Sequence, residues 1–370
     1  MSAQFVGEKL AEQLRDAGTR LRSLSLVTGF DGFVDELVSV RDEQGRPLAS
    51  LRDLGAWIAG CAGRNGLRWA SRSASAGGCA LNLGDGAAAL GIQLDFFGTV
   101  GAPVHPVFAD FATRCRSFTP WGRGYGRTTA YECADGKAMI AQIDELAEYD
   151  AAAMTGLLAD GRFAAACAGA AGIALTNWSL YPGMTACWEL LGEQVFARLP
   201  KRIPVLVDLV DPSTRSSSDL AGLVALLARL QRHVDIALAL NLGESACLSA
   251  HLGLAAPVAG PGLAAAAARL RTALGVAHVV LHHRDGDAEA DADGAIYSAP
   301  APRCLAPVKS TGAGDRFNAG WLSGLLLGWA PADRLALGAA TAGAFVRLGR
   351  SPTLDEVATA LAQRTTAAAA

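Results

Sequence analysis

The stretch that decides the fold is Lys309-Ser310-Thr311-Gly312-Ala313-Gly314-Asp315-Arg316-Phe317-Asn318-Ala319-Gly320. It is a glycine-rich turn that follows an extended segment and opens an apolar, helix-forming one. The start of a helix exposes unpaired N–H groups at the positive end of its dipole, and glycines let the backbone approach an anion bound there. A bound phosphate would repel Asp315 unless that carboxylate takes a proton from a hydroxyl attacking the phosphate. The turn therefore favours phosphoryl transfer to an alcohol, and an ordinary helix cap is the alternative.

The composition indicates a globular protein that does not bind nucleic acid. Of 370 residues, 51% are hydrophobic and 18% charged, which suits one large α/β core. The formal net charge is −3 and no run of Lys or Arg occurs, so nucleic acid is not an expected partner. The eight cysteines form no CxxC pair, which favours reduced thiols and a cytoplasmic location.

One uncharged stretch, 163–188, has roughly the length of a membrane span. Its polar residues cluster towards one end, and it contains several glycines and a proline. We expect a helix end, a buried strand at 172–176 and a polar loop there, and therefore no membrane association.

Short apolar runs that alternate with helical stretches indicate the architecture. The expected strands are 24–28, 93–98, 172–176, 204–209, 234–240 and 278–281. Alanine- and leucine-rich helices lie between them, for example at 221–230 and 263–274. This pattern predicts an α/β fold with a largely parallel sheet and helices on both faces, whose ligands bind beyond the carboxyl ends of the strands.

Two segments interrupt this alternation. Residues 34–46 are polar and extended, and 126–143 alternate around the turn Ala134-Asp135-Gly136-Lys137, which is a hairpin signal. We predict one domain over 1–370 with insertions at about 34–75 and 121–145 that pair into a small β lid over the crevice. A homodimer formed through the lid is a further expectation.

Three other groups of polar residues are candidates for ligand binding. Asp31 and Asp35 follow the first strand and can accept hydroxyls of a polyol, or they belong to a solvated turn. Gly77 and Gly78 enter an alanine-rich helix that carries Asn82, where the backbone can contact a ligand hydroxyl or simply begin a helix. The third group is an amide at 241 and a carboxylate at 244. Such a pair, three residues apart, can order a hydrated Mg²⁺ or cap a helix.

Together these segments resemble the ribokinase/PfkB family of carbohydrate kinases. The resemblance lies in their order and spacing, from Gly29 and Asp35 through Gly77-Gly78 and Asn82 to the final glycine-rich turn, and it covers about residues 25–355. It implies a doubly wound α/β fold with a small β lid, and sugar phosphorylation with a nucleotide donor and Mg²⁺.

The resemblance also implies a role for each motif residue. Asp315 would be the base, and the anion hole would consist of Gly312, Ala313 and Gly314. Sugar hydroxyls would be held by Asp31, Asp35, Gly77, Gly78, Asn82 and Asn177. Nucleotide phosphate and Mg²⁺, the latter through water, would be organised by Asn241 and Glu244.

The sequence departs from the family pattern on the donor side. Lys309 stands where the family usually has an Asp near a monovalent-cation site, so its ammonium can replace that cation and predicts K⁺-independent activity. The usual TxGxxG nucleotide segment is replaced by one containing His282 and His283, which we expect to meet the donor phosphates, together with Lys309 and Thr311. The spacing from Gly29 to Asp35 is also similar to that of ADP-dependent sugar kinases. ATP is the expected donor, with ADP as the alternative.

The sequence leaves the identity of the phosphoryl acceptor undecided. A sugar or a sugar phosphate is favoured, the latter because arginines at 123, 127 and 215 suit a phosphate. A nucleoside or vitamin-alcohol kinase is the alternative enzyme, with a ring-stacking face from Phe30, Phe33, Tyr125 or Trp178. Outside the enzymes, a catalytically weak sugar-binding regulatory protein is the competing hypothesis.

Overall fold

The computed structural model describes residues 3–41, 44–46, 48–60, 68–133, 135–260, 262–301 and 304–363. The strands are β1 Ser25–Phe30, β2 Phe33–Arg41, β3 Arg68–Gly77, β4 Gln93–Gly98, β5 Ser117–Pro120, β6 Gly126–Cys133, β7 Gly136–Gln142, β8 Gly172–Thr176, β9 Pro204–Asp208, β10 Asp235–Asn241, β11 His278–His282, β12 Asp287–Ala290 and β13 Ile296–Ala299. The α-helices are α1 Ala3–Asp16, α2 Gly18–Ser23, α3 Leu51–Gly60, α4 Cys79–Ala89, α5 Ala109–Ala112, α6 Ala151–Leu158, α7 Arg162–Gly169, α8 Met184–Gln194, α9 Ser217–Leu230, α10 Leu242–His251, α11 Gly262–Leu274, α12 Ala313–Leu326, α13 Pro331–Leu348 and α14 Leu354–Gln363.

The large sheet contains nine of the described strands, in the order β13-β12-β11-β10-β9-β8-β1-β4-β5. The seven strands from β11 to β5 run parallel, and β12 and β13 are antiparallel at one edge. All six strands predicted from apolar runs belong to the parallel part. The predicted α/β class with a largely parallel sheet is confirmed.

Helices cover both faces of this sheet, because successive strand residues point to opposite sides. On β9, Val205 and Val207 pack into one core with α6 to α11, whereas Leu206 packs into a second core with α1, α4, α12, α13 and α14. This two-sided burial explains why the strands are continuous apolar runs.

The uncharged stretch 163–188 contains the end of a helix followed by a buried strand, as expected. It comprises α7, the buried strand β8 and the start of α8. No helix in the part of the chain that the structure describes is long and apolar enough to cross a membrane.

A second sheet of four described strands has the order β3-β2-β6-β7. The predicted hairpin is present as the antiparallel pair β6 and β7, while Ala134 of its turn lies outside the described residues. Two residues, 31 and 32, separate β1 from β2, and β3 ends at Gly77, directly before the Gly78 cap of α4. The chain thus enters and leaves β2 and β3 at the carboxyl edge of the large sheet.

Strand β12 was not predicted, since Asp-Ala-Glu-Ala has low strand propensity. All four residues are nevertheless buried. Glu289 pairs with the buried guanidinium of Arg334 and accepts the indole N–H of Trp321 at 2.9 Å. These contacts satisfy its carboxylate inside the fold, which local sequence cannot reveal.

Candidate active site

The predicted residues converge where the winding of the large sheet changes direction. From β1 the chain proceeds to β4 and β5 on one side, and later to β8, β9, β10 and β11 on the other. Such a switch point leaves a crevice outside the carboxyl ends of the strands. Asp31 and Asn177 lie just past two of these ends, and Asp208 closes a third.

Asp315 lies in the first turn of α12 and is only 8% exposed. Its Oδ2 accepts a hydrogen bond from Asn82 Nδ2 at 2.9 Å. Burial raises the pKa of Asp315 to about 6, against the opposing effect of the Arg316 guanidinium. A carboxylate in this range is ionised at neutral pH and still basic enough to take a proton.

The predicted anion hole forms the start of the same helix. Gly312 caps α12 with φ +89°, a backbone conformation that favours glycine, and no side chain caps the helix. A Cβ on Gly314 would lie 2.9 Å from His282 Cε1, so this position has room for glycine only. The Ala313 N–H donates to the Ser310 carbonyl at 3.1 Å, whereas the Gly314 N–H is one of the first-turn donors that lack a helical partner four residues earlier.

Asp31 has a different environment from the one predicted. It is 0% exposed, and its carboxylate accepts the backbone N–H groups of Cys79 at 2.6 Å and Ala80 at 2.8 Å. It also accepts the Thr176 hydroxyl and, at 3.1 Å, Asn177 Nδ2. Because four donors occupy this carboxylate, Asp31 fixes the start of α4 and has no exposed oxygen to offer a sugar.

Asn177 is likewise engaged within the protein. Its Oδ1 accepts the Leu180 N–H at 3.3 Å, and its own N–H donates to the Asp208 carbonyl at 2.9 Å. Its φ is +58°, which is unusual for a residue other than glycine. The buried amide therefore joins the ends of β8, β9 and β1 and holds Asp31.

Asp35 is the carboxylate that faces the crevice from the small sheet. It is half-buried on β2, opposite Ser75 of β3 and Thr128 of β6. Burial raises its pKa, whereas the hydrogen bond with Thr128 and the Lys309 ammonium lower it. A Cβ on Gly77 would lie 2.5 Å from Asp35 Cγ, so the missing side chain at Gly77 leaves space for this carboxylate.

Asn241 and Glu244 form a helix capping box at the start of α10. Asn241 Oδ1 accepts the Glu244 N–H at 3.0 Å, and Glu244 Oε2 accepts the Asn241 N–H at 2.9 Å. The capping alternative is thus realised. Burial raises the pKa of Glu244 to about 9, with the charge of Asp208 as the next cause.

Asp208, at the end of β9, is a buried carboxylate that the sequence reasoning overlooked. Its Oδ1 accepts the Val210 N–H at 3.0 Å, and its Oδ2 accepts Asn318 Nδ2 at 2.8 Å. Burial raises its pKa to about 7, and the charge of Asp315 adds to the effect. The sequence signal is a carboxylate that ends an apolar strand, whereas Asp211, three residues further on, is exposed and caps a short 3₁₀ turn.

These carboxylates fit a hydrated Mg²⁺ better than a metal held directly by the protein. Within the described residues, no group of three or more His, Cys, Asp or Glu is arranged to hold a metal ion. Beyond the effect of burial, the charge of Asp208 nevertheless raises the pKa of the Glu244 carboxyl group, and the charge of Asp315 raises the pKa of both. Mg²⁺ keeps several waters and often binds through one or two carboxylates and substrate phosphates.

A cavity of about 660 Å³ adjoins the anion hole. It lies between the β11–β12 connection and helices α12 and α13, and its walls include Ala313, Gly314, Ser310, Phe317, His282 and His283. Burial lowers the pKa of His282 to about 4, so its ring is neutral at neutral pH. Lys309 is half-buried beside Phe345, and Thr311 is exposed.

Three of the four aromatic residues considered for ring stacking are in the core. Phe30, Phe33 and Trp178 are buried, and only Tyr125 is half-buried. Of these four described residues, only Tyr125 therefore remains available as a ring-stacking face for the nucleoside alternative.

The fold defines the class of the protein. The structure of Arabidopsis thaliana ribokinase complexed with ribose and ATP matches with a TM-score of 0.66 at 18% identity, covering 91% of this chain and 98% of that one. Thermotoga maritima ribokinase matches with a TM-score of 0.64 at 17% identity, with the same coverage. The chain therefore has the fold of the ribokinase-like carbohydrate kinases.

The family follows from the sequence comparison. A family model described as prokaryotic ketohexokinase matches residues 7–364, and the chain belongs to this family. The ketohexokinase of Haloferax volcanii is 28% identical over 292 residues, which cover 78% of this chain and 76% of that protein. The protein is thus a carbohydrate kinase, a phosphotransferase with an alcohol group as acceptor.

Proposed function

We propose that the protein transfers the γ-phosphoryl group of ATP to a hydroxyl of an unphosphorylated ketohexose, with Asp315 as general base. The observation that carries the proposal is the position of this buried carboxylate. It lies on the first turn of α12, next to Gly314 and the adjoining cavity, with its pKa raised to about 6. A hydroxyl held at Asp315 would face a phosphoryl group bound at the helix start.

Proton transfer and phosphate binding are assigned to different atoms of one turn. As the sugar oxygen bonds to the γ-phosphorus, its proton passes to the Asp315 carboxylate, and the bond from phosphorus to the bridging oxygen of ADP breaks. The N–H groups at the start of α12, with the helix dipole, stabilise the charge on the transferring group.

Asn241 and Glu244 would hold Mg²⁺ through water, and we add Asp208 to this set. When bound, Mg²⁺ supplies positive charge that screens the donor phosphates. The support for these residues is the proximity of the buried carboxyl groups of Asp208, Glu244 and Asp315. Burial and mutual repulsion raise the pKa values of Asp208 and Glu244, and a bound cation would relieve the repulsion.

An unphosphorylated acceptor is favoured because two of the three candidate arginines are engaged elsewhere. Arg215 Nη1 donates to the Tyr181 carbonyl at 3.1 Å, and its guanidinium stacks on Trp178. The exposed Arg127 stacks on Tyr125, and its Nη2 donates to that hydroxyl at 2.6 Å. The name of the family supports a ketohexose as the acceptor. Asp35 and the backbone at Gly77 and Gly78 are proposed to hold its hydroxyls.

The donor would occupy the cavity beside Gly314, whose volume suits a nucleotide. Because the His282 ring is neutral, we assign it contact with the base or ribose of the donor and not with a phosphate. His283 borders the same cavity. Lys309 and Thr311 precede the anion hole and would border the phosphates.

The four-stranded sheet is proposed to be a lid. It carries Asp35 and is joined to the large sheet through 31–32 and Gly78, both at the crevice. Its closure over bound sugar would exclude water that could otherwise accept the phosphoryl group.

The test is a coupled kinase assay with fructose, fructose phosphates, ribose and a nucleoside, each with ATP or ADP as donor. We expect the highest kcat/KM with fructose and ATP, and Mg²⁺-dependent turnover. Higher kcat/KM for a sugar phosphate would contradict the acceptor, and faster turnover with ADP would contradict the donor.

A further inference from the structure

The buried guanidinium of Arg316 lies directly behind the start of α12. The residue is 5% exposed, and its side chain folds back along the helix towards Gly312. Nη1 donates to the Gly312 carbonyl at 3.5 Å, and the same carbonyl accepts the Arg316 backbone N–H at 3.3 Å. A Cβ on Gly312 would lie 2.7 Å from Nη1, so the glycine leaves the space that the guanidinium occupies. The side chain thus contacts the backbone that begins the proposed anion hole.

Three further partners hold this guanidinium in one plane. Nε donates to Ser351 Oγ at 3.0 Å, Nη2 donates to Asp85 Oδ2 at 3.3 Å, and the group stacks on Phe345 at 4.5 Å from the ring centre. Ser351 Oγ in turn donates to Asp85 Oδ2 at 2.5 Å, and Arg114 pairs with the other oxygen of that carboxylate. Because the guanidinium, the carboxylate and the hydroxyl are all buried and bonded to one another, the network is rigid.

The network joins α12 to α4, the helix that carries residues proposed to hold the sugar. Asp85 belongs to α4 and lies one turn after Asn82, whose Nδ2 donates to Asp315 at 2.9 Å. One residue further, a Cβ on Gly86 would lie 2.9 Å from Ala319 Cβ, so the two helices are in close contact there. The base and the anion hole are therefore attached to α4 by a continuous row of contacts.

We propose that Arg316 is a positioning residue, which fixes the start of α12 at the distance from α4 where a bound phosphoryl group meets the acceptor hydroxyl. The inference rests on the proposed function, in which the start of α12 binds the phosphoryl group. Each nitrogen of the guanidinium donates to a protein oxygen, so the side chain acts through the backbone and is not itself a catalytic group. The glycine-rich motif includes this residue, but its spacing predicted no role for it.

The sugar end of α4 is held independently of this network. Asp31 accepts the backbone N–H groups of Cys79 at 2.6 Å and Ala80 at 2.8 Å, which fixes the first turn of α4 against the end of β1. Loss of the guanidinium should therefore move the start of α12 while the sugar site keeps its shape. Misplaced phosphate donors weaken mainly the interactions made during transfer, so kcat should fall and KM for sugar should not change.

The experiment combines steady-state kinetics with the binding of a transition-state mimic. Arg316→Met removes the guanidinium and keeps an apolar stem. Arg334→Met is the matched control, because Arg334 is 6% exposed, pairs with the buried Glu289 and stacks on Trp321, but does not line the donor cavity. Calorimetry with fructose, MgADP and aluminium fluoride, which mimics the transferring phosphoryl group, measures the affinity and the number of sites. MgADP alone is the reference ligand.

We expect Arg316→Met to lower kcat by about 10- to 100-fold, with KM for fructose within about threefold of the wild type. The affinity for the aluminium fluoride complex should fall by a similar factor, whereas the affinity for MgADP and the number of sites should stay unchanged. Arg334→Met also breaks a buried ion pair, so it should lower the unfolding temperature to a similar extent. Its kcat and its affinity for the mimic should nevertheless stay within about twofold of the wild type.

Unchanged affinity for the mimic in Arg316→Met would overturn the proposal even if kcat fell, because a smaller folded fraction produces that pattern. Equal losses in Arg316→Met and Arg334→Met would overturn it as well. If Arg316→Met does not fold, Ser351→Ala decides the question. It removes one partner of the guanidinium and should lower kcat and the affinity for the mimic by about three- to tenfold, and no change would refute the positioning role.

The wild type distinguishes this inference from the proposed function. If the wild type does not phosphorylate fructose, the proposed function fails and the inference fails with it. Wild-type turnover of fructose together with unaffected variants removes only the positioning role of Arg316.

Discussion

Gly77→Ala should impair sugar binding through Asp35 while leaving the protein folded. The new Cβ would lie 2.5 Å from Asp35 Cγ and 2.8 Å from Oδ1, closer than non-bonded atoms allow. Asp35 is half-buried on β2, so rotation of its side chain relieves the clash at small cost in stability. The rotated carboxylate would no longer reach the sugar hydroxyls.

The size of the effect follows from the lost interaction. A hydrogen bond between a hydroxyl and a charged group contributes about 1.5–3 kcal/mol, which is a 10- to 150-fold loss in kcat/KM. Because the same contact is made before and during the reaction, most of the loss should be a higher KM for sugar.

A double-mutant cycle with Asp35→Ala isolates the mechanism. In the Asp35→Ala background, Gly77→Ala has no carboxylate to displace, so it should change kcat/KM by less than about twofold. Gly156→Ala is the control, since a Cβ at that exposed helical position meets no atom within 4 Å. It should leave the kinetics unchanged and raise the unfolding free energy by up to about 1 kcal/mol. Wild-type kinetics for Gly77→Ala, or an equal loss in both backgrounds, would refute the reasoning.

Four further outcomes are expected. Activity should fall as pH drops through about 6, because Asp315 must be ionised to accept a proton and its pKa is raised to about 6; a flat kcat profile from pH 5 to 8 would contradict this. Asp208→Asn should raise the Mg²⁺ concentration needed for half-maximal rate by about tenfold, and an unchanged Mg²⁺ titration would remove this residue from the metal site. Added K⁺ should not raise the wild-type rate if the Lys309 ammonium takes the place of the cation, and a severalfold stimulation would disprove that idea. Charged substitution of Met139 and Ile140, which are 52% and 55% exposed on β7, should dissociate a homodimer formed through the small sheet; light scattering that shows a monomer already in the wild type would exclude it.

Sequence patterns predicted the parallel sheet well because its strands are buried on both faces. Residues such as Val205, Leu206 and Val207 are apolar in succession, which few alternatives to a covered parallel strand explain. Strand β12 could not be found in this way. Its burial depends on Glu289 meeting Arg334, a residue 45 positions away.

The candidate site was predicted in its location and only partly in its contacts. Spacing predicted that Asp31 and Asp35 both follow the first strand. It did not predict that the Asp31 carboxylate accepts hydrogen bonds from backbone N–H groups of α4. Likewise, the order of the motifs predicted that Asn82 lies near the substrate, but it did not predict the hydrogen bond that Asn82 donates to Asp315. Such assignments depend on which donors the tertiary fold brings within hydrogen-bond distance, and local sequence does not encode them.

The chemical role of Asp315 is the central claim, and Asp315→Asn tests it most directly. The substitution keeps the size of the side chain and removes its ability to take a proton. With fructose and MgATP, kcat should fall by about 10²–10⁴-fold while fructose binding, measured by calorimetry, stays within a few-fold of the wild type. A near wild-type kcat would contradict the account.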